Sequence, residues 1–197
     1  YSEDQTFTVT VDNVNDAPTL DVVADVSFDE DELGTRSLTA SDVDEDELTF
    51  SISGGINIVA SLIGGDISFS SPTDYNGSET FAVSVEDAEY TDSQIITVTV
   101  NAVNDAPALE AVADQNMNEG GTKVLLLSGS DVDEDVLIYS ITDGTNIISS
   151  IDGSTVTFSV IDNDWNGSES FTATVEDAEY SEDQTFTVTV DNVNDAP

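Results

Sequence analysis

Histidine and cysteine are both absent, and the basic residues number two, Arg36 and Lys123. Without histidine or cysteine there is no Ser-His-Asp or Cys-His nucleophile, no thiolate chemistry, no disulfide framework and no ordinary zinc site. Two basic residues cannot build the Lys/Arg surface that phosphate binding needs, which excludes nucleic acid and anionic membrane surfaces as direct partners. No apolar run approaches the roughly 20 residues that span a bilayer, so direct membrane insertion is excluded too. What remains for chemistry is carboxylate, amide, hydroxyl and backbone oxygen, the ligand set of a hard cation such as Ca²⁺.

What the chain has in excess is acid. Its 197 residues carry 42 Asp and Glu, for a formal net charge of −40. Such a charge with little apolar content would leave a chain disordered. Here the apolar fraction is 38%, and it is patterned. Thr6-Phe7-Thr8-Val9-Thr10-Val11 alternates strictly, as do Phe81–Val85, Ile96–Val100 and Thr155–Phe158. Alternation with period two in Thr, Val, Ile and Phe marks half-buried strands, and no window shows a helical stripe. The expected fold is all-β, folding once its charge is neutralised.

The chain repeats itself. Val14-Asn15-Asp16-Ala17-Pro18 recurs at Val103–Pro107 and Val193–Pro197, at spacings of 89 and 90 residues. Between Asp74–Pro107 and Asp164–Pro197, 22 of 34 positions are identical. The division this predicts is the last strand and link of a preceding repeat over 1–18, then two complete repeats over 19–107 and 108–197. Residues 1–18 are identical to residues 180–197, as in a long array with a two-repeat period. Thr6–Val11 then reads as a strand whose sheet partners lie in a neighbouring copy, inside a filament or lattice, since a lone strand is unstable.

Within the first repeat, seven strands are expected near Val22–Phe28, Ser37–Ala40, Leu48–Ser53, Asn57–Leu62, Asp66–Ser70, Thr80–Val85 and Gln94–Val100, separated by Gly-, Pro- and acid-rich turns. Seven short strands in about 90 residues point to Ig-like β-sandwiches arranged end to end. Leu48, Phe50, Ile52, Phe81, Val83, Val85, Val98 and Val100 should face inward, with Leu137, Tyr139 and Ile141 in the second repeat. Asn76-Gly77 and Asn166-Gly167 read as tight turns rather than glycan acceptors, and Trp165, aligned with Tyr75, as a partly buried aromatic beside one.

The acids collect in loops and links instead of scattering over the surface as in a halophilic protein. Asp42, Asp44 and Asp46 stand at i, i+2 and i+4, a spacing that puts three carboxylates on one side of an extended segment. Asp131, Asp133 and Asp135 repeat the arrangement. An acidic run is usually a solvated face, but recurrence with the same spacing beside the same strand points to a metal. An EF-hand fails on arithmetic. Its sixth position needs Gly and its twelfth Glu, whereas these are Glu47 and Ser53 counting from Asp42, and Val136 and Thr142 from Asp131.

Val-Asn-Asp-Ala-Pro links after a Thr-Val-Thr-Val strand, acidic turns at Glu30 and Glu119, Ser-Asp-Val-Asp, Asp-Tyr/Trp-Asn-Gly-Ser and Val-Glu-Asp together resemble the cadherin-like tandem repeats of bacterial surface proteins, including the extender regions of calcium-dependent RTX-type adhesins. The Asp-Arg-Glu and Asn-Asp-Asn motifs of cadherins proper are missing. The resemblance implies two or three Ca²⁺ at each link, held by the link and by loops of both neighbours. For the link between the complete repeats the implied ligands are Glu30, Asp74, Asn104, Asp105, Asp131, Asp133 and Asp177. The upstream link would use Asn15, Asp16, Asp42, Asp44 and Asp87. Glu119, Asp164, Asn194 and Asp195 would serve a further repeat, with Asp46 and Asp135 as additional ligands.

The function this implies is a structural spacer at the surface of a Gram-negative bacterium, rigidified by extracellular calcium. Its partners would be adjacent repeats of the same chain and identical chains in a fibre or bundle. A module that binds a surface glycan or mediates homophilic adhesion is the alternative. Paired carboxylates can hydrolyse glycosides, but these lie at strand ends and recur in every repeat, so an enzyme is not expected.

Overall fold

A computed structural model describes residues 1–194 of the chain. Among them there is no helix, and the strands fall into two compact units, Tyr1–Val103 and Asn104–Pro197. Asp195, a candidate ligand, lies outside the described residues.

The first unit contains β1 (Thr19–Leu20), β2 (Val26–Asp29), β3 (Gly34–Ser37), β4 (Ala40–Ser41), β5 (Thr49–Gly54), β6 (Val59–Ile63), β7 (Asp66–Ser70), β8 (Gly77–Glu86) and β9 (Thr91–Asn101). One sheet runs β2-β9-β8-β5 and the facing one β3-β7-β6, with a short β1-β4 pair. The second unit contains β10 (Ala108–Leu109), β11 (Gln115–Asn118), β12 (Thr122–Leu126), β13 (Gly129–Ser130), β14 (Ile138–Ile141), β15 (Ile147–Asp152), β16 (Thr155–Val160), β17 (Gly167–Glu176) and β18 (Ser181–Asp191). Its sheets are β11-β18-β17-β14, β12-β16-β15 and β10-β13, the same order again. These are the expected all-β sandwiches.

Period-two patterning builds each core. Phe81, Val83, Val85, Ile96, Val98 and Val100 are buried from β8 and β9, and meet Ile67 and Phe69 of β7. Phe69 packs edge-on against Phe81 at a centroid distance of 5.3 Å, and Phe158 against Phe171 at 5.0 Å. In the second unit Phe186 joins that pair at the position Ile96 holds in the first. Leu48, Phe50 and Ile52, with Leu137, Tyr139 and Ile141, pack against these cores half-buried, as their alternation indicates.

Among the described residues each unit has nine strands instead of the expected seven. The strand expected over Val22–Phe28 forms only from Val26, with a separate short strand ahead of it at Thr19–Leu20, and the strand expected over Ser37–Ala40 is divided between the end of β3 and the start of β4. Thr19–Leu20 pairs antiparallel with β4, and Val26–Asp29 pairs parallel with β9. The crossing is held against β9 from both sides. Gln94 accepts from the Val23 N–H at 3.0 Å and donates to the carbonyls of Leu20 and Asp21, while Asp25 accepts the Thr97 N–H at 2.7 Å. Gln184 and Asp114 do the same in the second unit.

One further expectation is corrected. The turn expected at Asn76-Gly77 lies at Pro72–Tyr75, closed by the Tyr75 N–H on the Pro72 carbonyl, and Gly77 instead opens β8. Gly77 has φ 150°, and a Cβ there would sit 2.9 Å from the Tyr75 hydroxyl, so the aromatic ring occupies the space a side chain would need. Trp165 lies half-buried against Gly167 in the same way.

Thr6–Val11 forms no strand. The identical residues 185–190 lie within β18, laddered to both β17 and β11. Phe7, Val9 and Val11 are 85%, 74% and 89% exposed, whereas Phe186, Val188 and Val190 are 3%, 0% and 2% exposed. Only partner strands can satisfy the backbone groups and cover the apolar face, and Thr6–Val11 has none among the described residues.

Candidate metal centre

Asp42, Asp44 and Asp46 occupy the loop after β4. Asp42 Oδ1 accepts the N–H of Asp44 at 2.8 Å and of Asp46 at 3.4 Å, so the loop curls around one carboxylate. Glu45 sits in the left-handed region at φ 57°, giving the bend that returns the chain toward Asp42. Each of the three carboxylates offers an oxygen within 4.8 Å of the other two. Asp42 Oδ2 is buried and has no hydrogen-bond partner among the described residues.

The link joins this cluster from the other side. The Asp16 N–H donates to Asp44 Oδ2 at 2.7 Å, the Asn13 amide to Asp44 Oδ1 at 2.7 Å, and the Asn15 amide to Asp87 Oδ2 at 3.1 Å. Asp87 closes the turn after β8 by accepting the N–H groups of Glu89 and Tyr90 at 2.6 and 2.7 Å.

The second unit repeats the construction. Asp131 Oδ1 accepts from the N–H of Asp133 and of Asp135 at 2.9 and 3.2 Å, with Glu134 at φ 62°. Asp131, Asp133 and Asp135 bring their oxygens within 4.8 Å, and Asp131 Oδ2 is again buried without a hydrogen-bond partner among the described residues. The Asp105 N–H donates to Asp133 at 2.8 Å and the Asn104 amide to Asp177 at 3.1 Å, while Asp177 accepts from Glu179 and Tyr180.

The remaining candidates stand at the opposite ends of the strands. Glu30 follows β2 and accepts the N–H of Val103, the residue before Asn104, at 2.5 Å. Glu119 follows β11 and accepts the N–H of Val193, the residue before Asn194, at 2.7 Å. The Asp74 N–H donates to Asp31 at 3.4 Å, beside Glu30, and Asp74 is left-handed at φ 56°. The Asp164 N–H donates to Asp162 at 3.2 Å. Within either unit taken by itself, Glu30, Asp74, Glu119 and Asp164 belong to no three-carboxylate group among the described residues.

Electrostatics separates the cluster members. The backbone N–H of Asp16, then the Asn13 amide, holds Asp44 below the usual carboxylate range. Asp87 and Asp177 are lowered first by the N–H groups of Tyr90 and Tyr180. Asp46 is pushed up, by desolvation first and then by Asp42, Asp44 and Asp87. Like charges held this close favour either a proton or a cation. Oxygens sharing one Ca²⁺ at 2.3–2.6 Å lie no more than about 5 Å apart, and both clusters meet that limit with all-oxygen donors.

Three features escaped the sequence. Asn13 reaches Asp44, but its counterpart in the next link is Ala102, so the repeat hides it. Glu79 and Glu169 are not ligands but clamps. Glu79 accepts the N–H groups of Ile56, Asn57 and Ile58 and the Asn57 amide, which fixes the β5–β6 loop and holds its pKa down to about 2. In Glu169 burial raises the pKa, but the Ile147, Asn146 and Thr145 donors outweigh it. Gln94 and Gln184 likewise carry structure that no motif announces.

The bacterial Ig domain family matches residues 15–99 and 104–191, one copy in each unit. The chain belongs to that family. Among solved structures it is similar to human protocadherin-24 EC1-2, with 19% identity, a TM-score of 0.52, and 92% of this chain and all of that one covered. A second crystal form of the same protein gives 18% identity and a TM-score of 0.55, with 90% of this chain and all of that one covered. At such identities the likeness shows the fold, a cadherin-like sandwich in tandem. No curated protein sequence matches the chain. No helix among the described residues is long and apolar enough to cross a membrane.

Proposed function

We propose that this chain is an extracellular spacer segment of a large bacterial adhesin-like surface protein, stiffened by calcium at its links. The observation that carries the reading is the carboxylate cluster built twice, each time with a buried oxygen on its first aspartate that has no hydrogen-bond partner among the described residues. Asp42, Asp44 and Asp46 would hold the ion in the first unit with Asn15, Asp16 and Asp87. Asp131, Asp133 and Asp135 would do so in the second with Asn104, Asp105 and Asp177. Glu30, bonded to the backbone one residue ahead of Asn104, would add a ligand at that link, and Glu119, bonded one residue ahead of Asn194, would do so for a further repeat.

Bound calcium supplies positive charge that cancels the repulsion among these carboxylates. It ties link to loop, and so resists flexing of a short connection that Pro18 and Pro107 already stiffen. Extracellular calcium modules work at dissociation constants of about 0.1–1 mM, which leaves such a chain loose inside a cell and firm outside. Association with identical chains in a fibre belongs to the same reading, because near-identical units present the same surface at regular intervals.

Thermal unfolding with calcium and with EDTA, together with a count of bound calcium, tests the proposal. Binding at 100-fold excess over the dissociation constant adds about 2.7 kcal/mol. For domains near this size each kcal/mol moves Tm by roughly 4–8 °C, so the expected shift exceeds about 10 °C. An EDTA-insensitive melt with no calcium bound would sink it.

A further inference from the structure

Charge is spread unevenly over the first unit. From Leu48 to Thr73 the one charged side chain is Asp66, in a chain that holds 42 acids. This stretch supplies β6, which ends the sheet β3-β7-β6 and is laddered on one side alone. Native strand edges are guarded by a charge, a proline or a bulge, because their free N–H and C=O groups are a template for another strand. The opposite edge, β3, carries Arg36. β6 reads Val59-Ala60-Ser61-Leu62-Ile63, without charge or proline, and its ladder with β7 runs without a bulge.

The backbone of β6 is set for a partner. Gly64-Gly65 is a two-residue turn, so Ile63↔Asp66 is a hydrogen-bonded pair, and Ser61↔Ser68 and Val59↔Ser70 follow in alternation. Ala60 and Leu62 therefore turn their N–H and C=O groups to the open edge, and neither bonds elsewhere among the described residues. On the outer face Val59 and Ile63 are 61% and 79% exposed. On the inner face Leu62 lines a groove of about 450 Å³ with Leu48 and Phe50. β5, also an uncharged edge, turns Thr49, Ser51 and Ser53 outward and has no such aliphatic pair.

We propose that β6 pairs antiparallel with β6 of a second copy of this chain, centred on Ser61, joining two three-stranded sheets into one of six strands. The strand's own sequence and the charge of the chain set the occupant. About Ser61 the strand is self-complementary. Val59 of each copy lies opposite Ile63 of the other, Ser61 lies opposite Ser61, and Ala60 exchanges hydrogen bonds with Leu62. A net charge of −40 keeps copies apart, and along β6 they meet without setting carboxylate against carboxylate. Asp66, one strand in, has its carboxylate on the β3 side, 2.7 Å from the Ser37 hydroxyl. The second unit shows the guarded form of this edge. On β15, Asp152 stands where β6 has Ile63, before the equivalent two-residue turn, and the same pairing there would set Asp152 against Ile148. This pairing specifies the identical-chain association of the functional reading above and rests on that part of it, but needs no calcium. A five-residue edge is about 17 Å long and falls well short of a standard interface, so the dimer is weak by itself.

Sedimentation of the full chain in about 1 M salt, where charge reaches only about 3 Å, tests the pairing with calcium and with EDTA. Dimers should grow with concentration in both. Ile63→Asp copies the second unit's residue into the first, so the fold already tolerates it. The first unit should keep its melting transition while the dimer weakens at least about tenfold, since each copy then sets a carboxylate against Val59. Asp152→Ile added to that variant removes the guard from β15 and should bring dimers back. In the otherwise cysteine-free chain, Ser61→Cys puts two thiols opposite each other at a Cα separation of about 4.5 Å, within disulfide reach, whereas Val59→Cys sets them about 13 Å apart. Air oxidation should therefore cross-link Ser61→Cys well ahead of Val59→Cys. Chains that stay monomeric at every concentration overturn the proposal. So do dimers that Ile63→Asp leaves intact, no recovery with Asp152→Ile, or equal cross-linking at both positions. An EDTA-insensitive melt beside these dimers removes the calcium reading and leaves this one standing, and a calcium-dependent melt in a monomeric chain does the reverse.

Discussion

The backbone N–H of Asp105 lies 2.8 Å from Oδ2 of Asp133, 28 residues further along the chain, and Asp16 stands in the same relation to Asp44 at 2.7 Å. A link residue thus braces the loop aspartate through its main chain. Asp133→Asn keeps the shape of that acceptor and removes the charge. It is expected to lower the calcium count and to cut the calcium-induced Tm shift of the second unit by at least half, leaving the first unit's shift intact. Calorimetric titration beside differential scanning calorimetry resolves the two. Equal losses in both units would contradict the assignment.

Asp105→Ala should remove calcium from the second unit's cluster and leave both sandwiches folded, because no core residue is touched. In calcium, small-angle scattering should then register a more flexible particle than the parent chain. An unchanged scattering profile with unchanged calcium content would show that the link is not part of the site.

Acid should weaken the first unit through Glu79. Its folded pKa, about 2, lies below the ordinary value of 4.5. The stabilisation is therefore complete above about 4.5 and is lost as pH falls through about 2. Glu79→Gln should cost about 1.5–3 kcal/mol at neutral pH, the range for hydrogen bonds to a charged group. It should also flatten the first unit's stability between pH 4.5 and 2. Urea midpoints in EDTA across that range, parent against variant, check the sign. A parent–variant difference that stays constant with pH would remove Glu79 from the account.

Gln184→Ala should cost about 1–3 kcal/mol, because it strands the Val112 N–H and the Leu109 carbonyl where the chain changes sheets. Amide exchange should rise at Val112 and across β10 while β17 stays protected. A variant with unchanged urea midpoint and exchange would show that water replaces the glutamine without loss.

Phe171→Ala empties the centre of the second core, where Phe158 and Phe186 both touch it. A loss of about 3–5 kcal/mol is expected. The first unit has its own core around Phe69 and Phe81, so its melting transition should not move. Calorimetry would show one shifted peak and one unshifted.

By itself the sequence determined the class of fold, the repeat, the inward-facing residues and the chemistry of the cluster. Period-two alternation, duplicated motifs and the want of histidine and cysteine are local or compositional facts, and Asp42, Asp44 and Asp46 are near neighbours in the chain. It could not reveal where strands break. Val22–Phe28 reads as one strand, yet it starts only at Val26, because Gln94 and Asp25 hold residues 21–25 in a crossing against β9, some 70 residues away in sequence. Glu79 looked like one more acid after a turn, and only the fold brings the N–H groups of Ile56–Ile58 to it. The sharpest case is the duplicated segment. Residues 1–11 and 180–190 are the same amino acids, one without a strand and one a central strand of a sheet. Alternation records what a strand can bury and pair. Whether it does so depends on neighbours that only the tertiary structure supplies, since every ladder hydrogen bond needs a second strand to complete it.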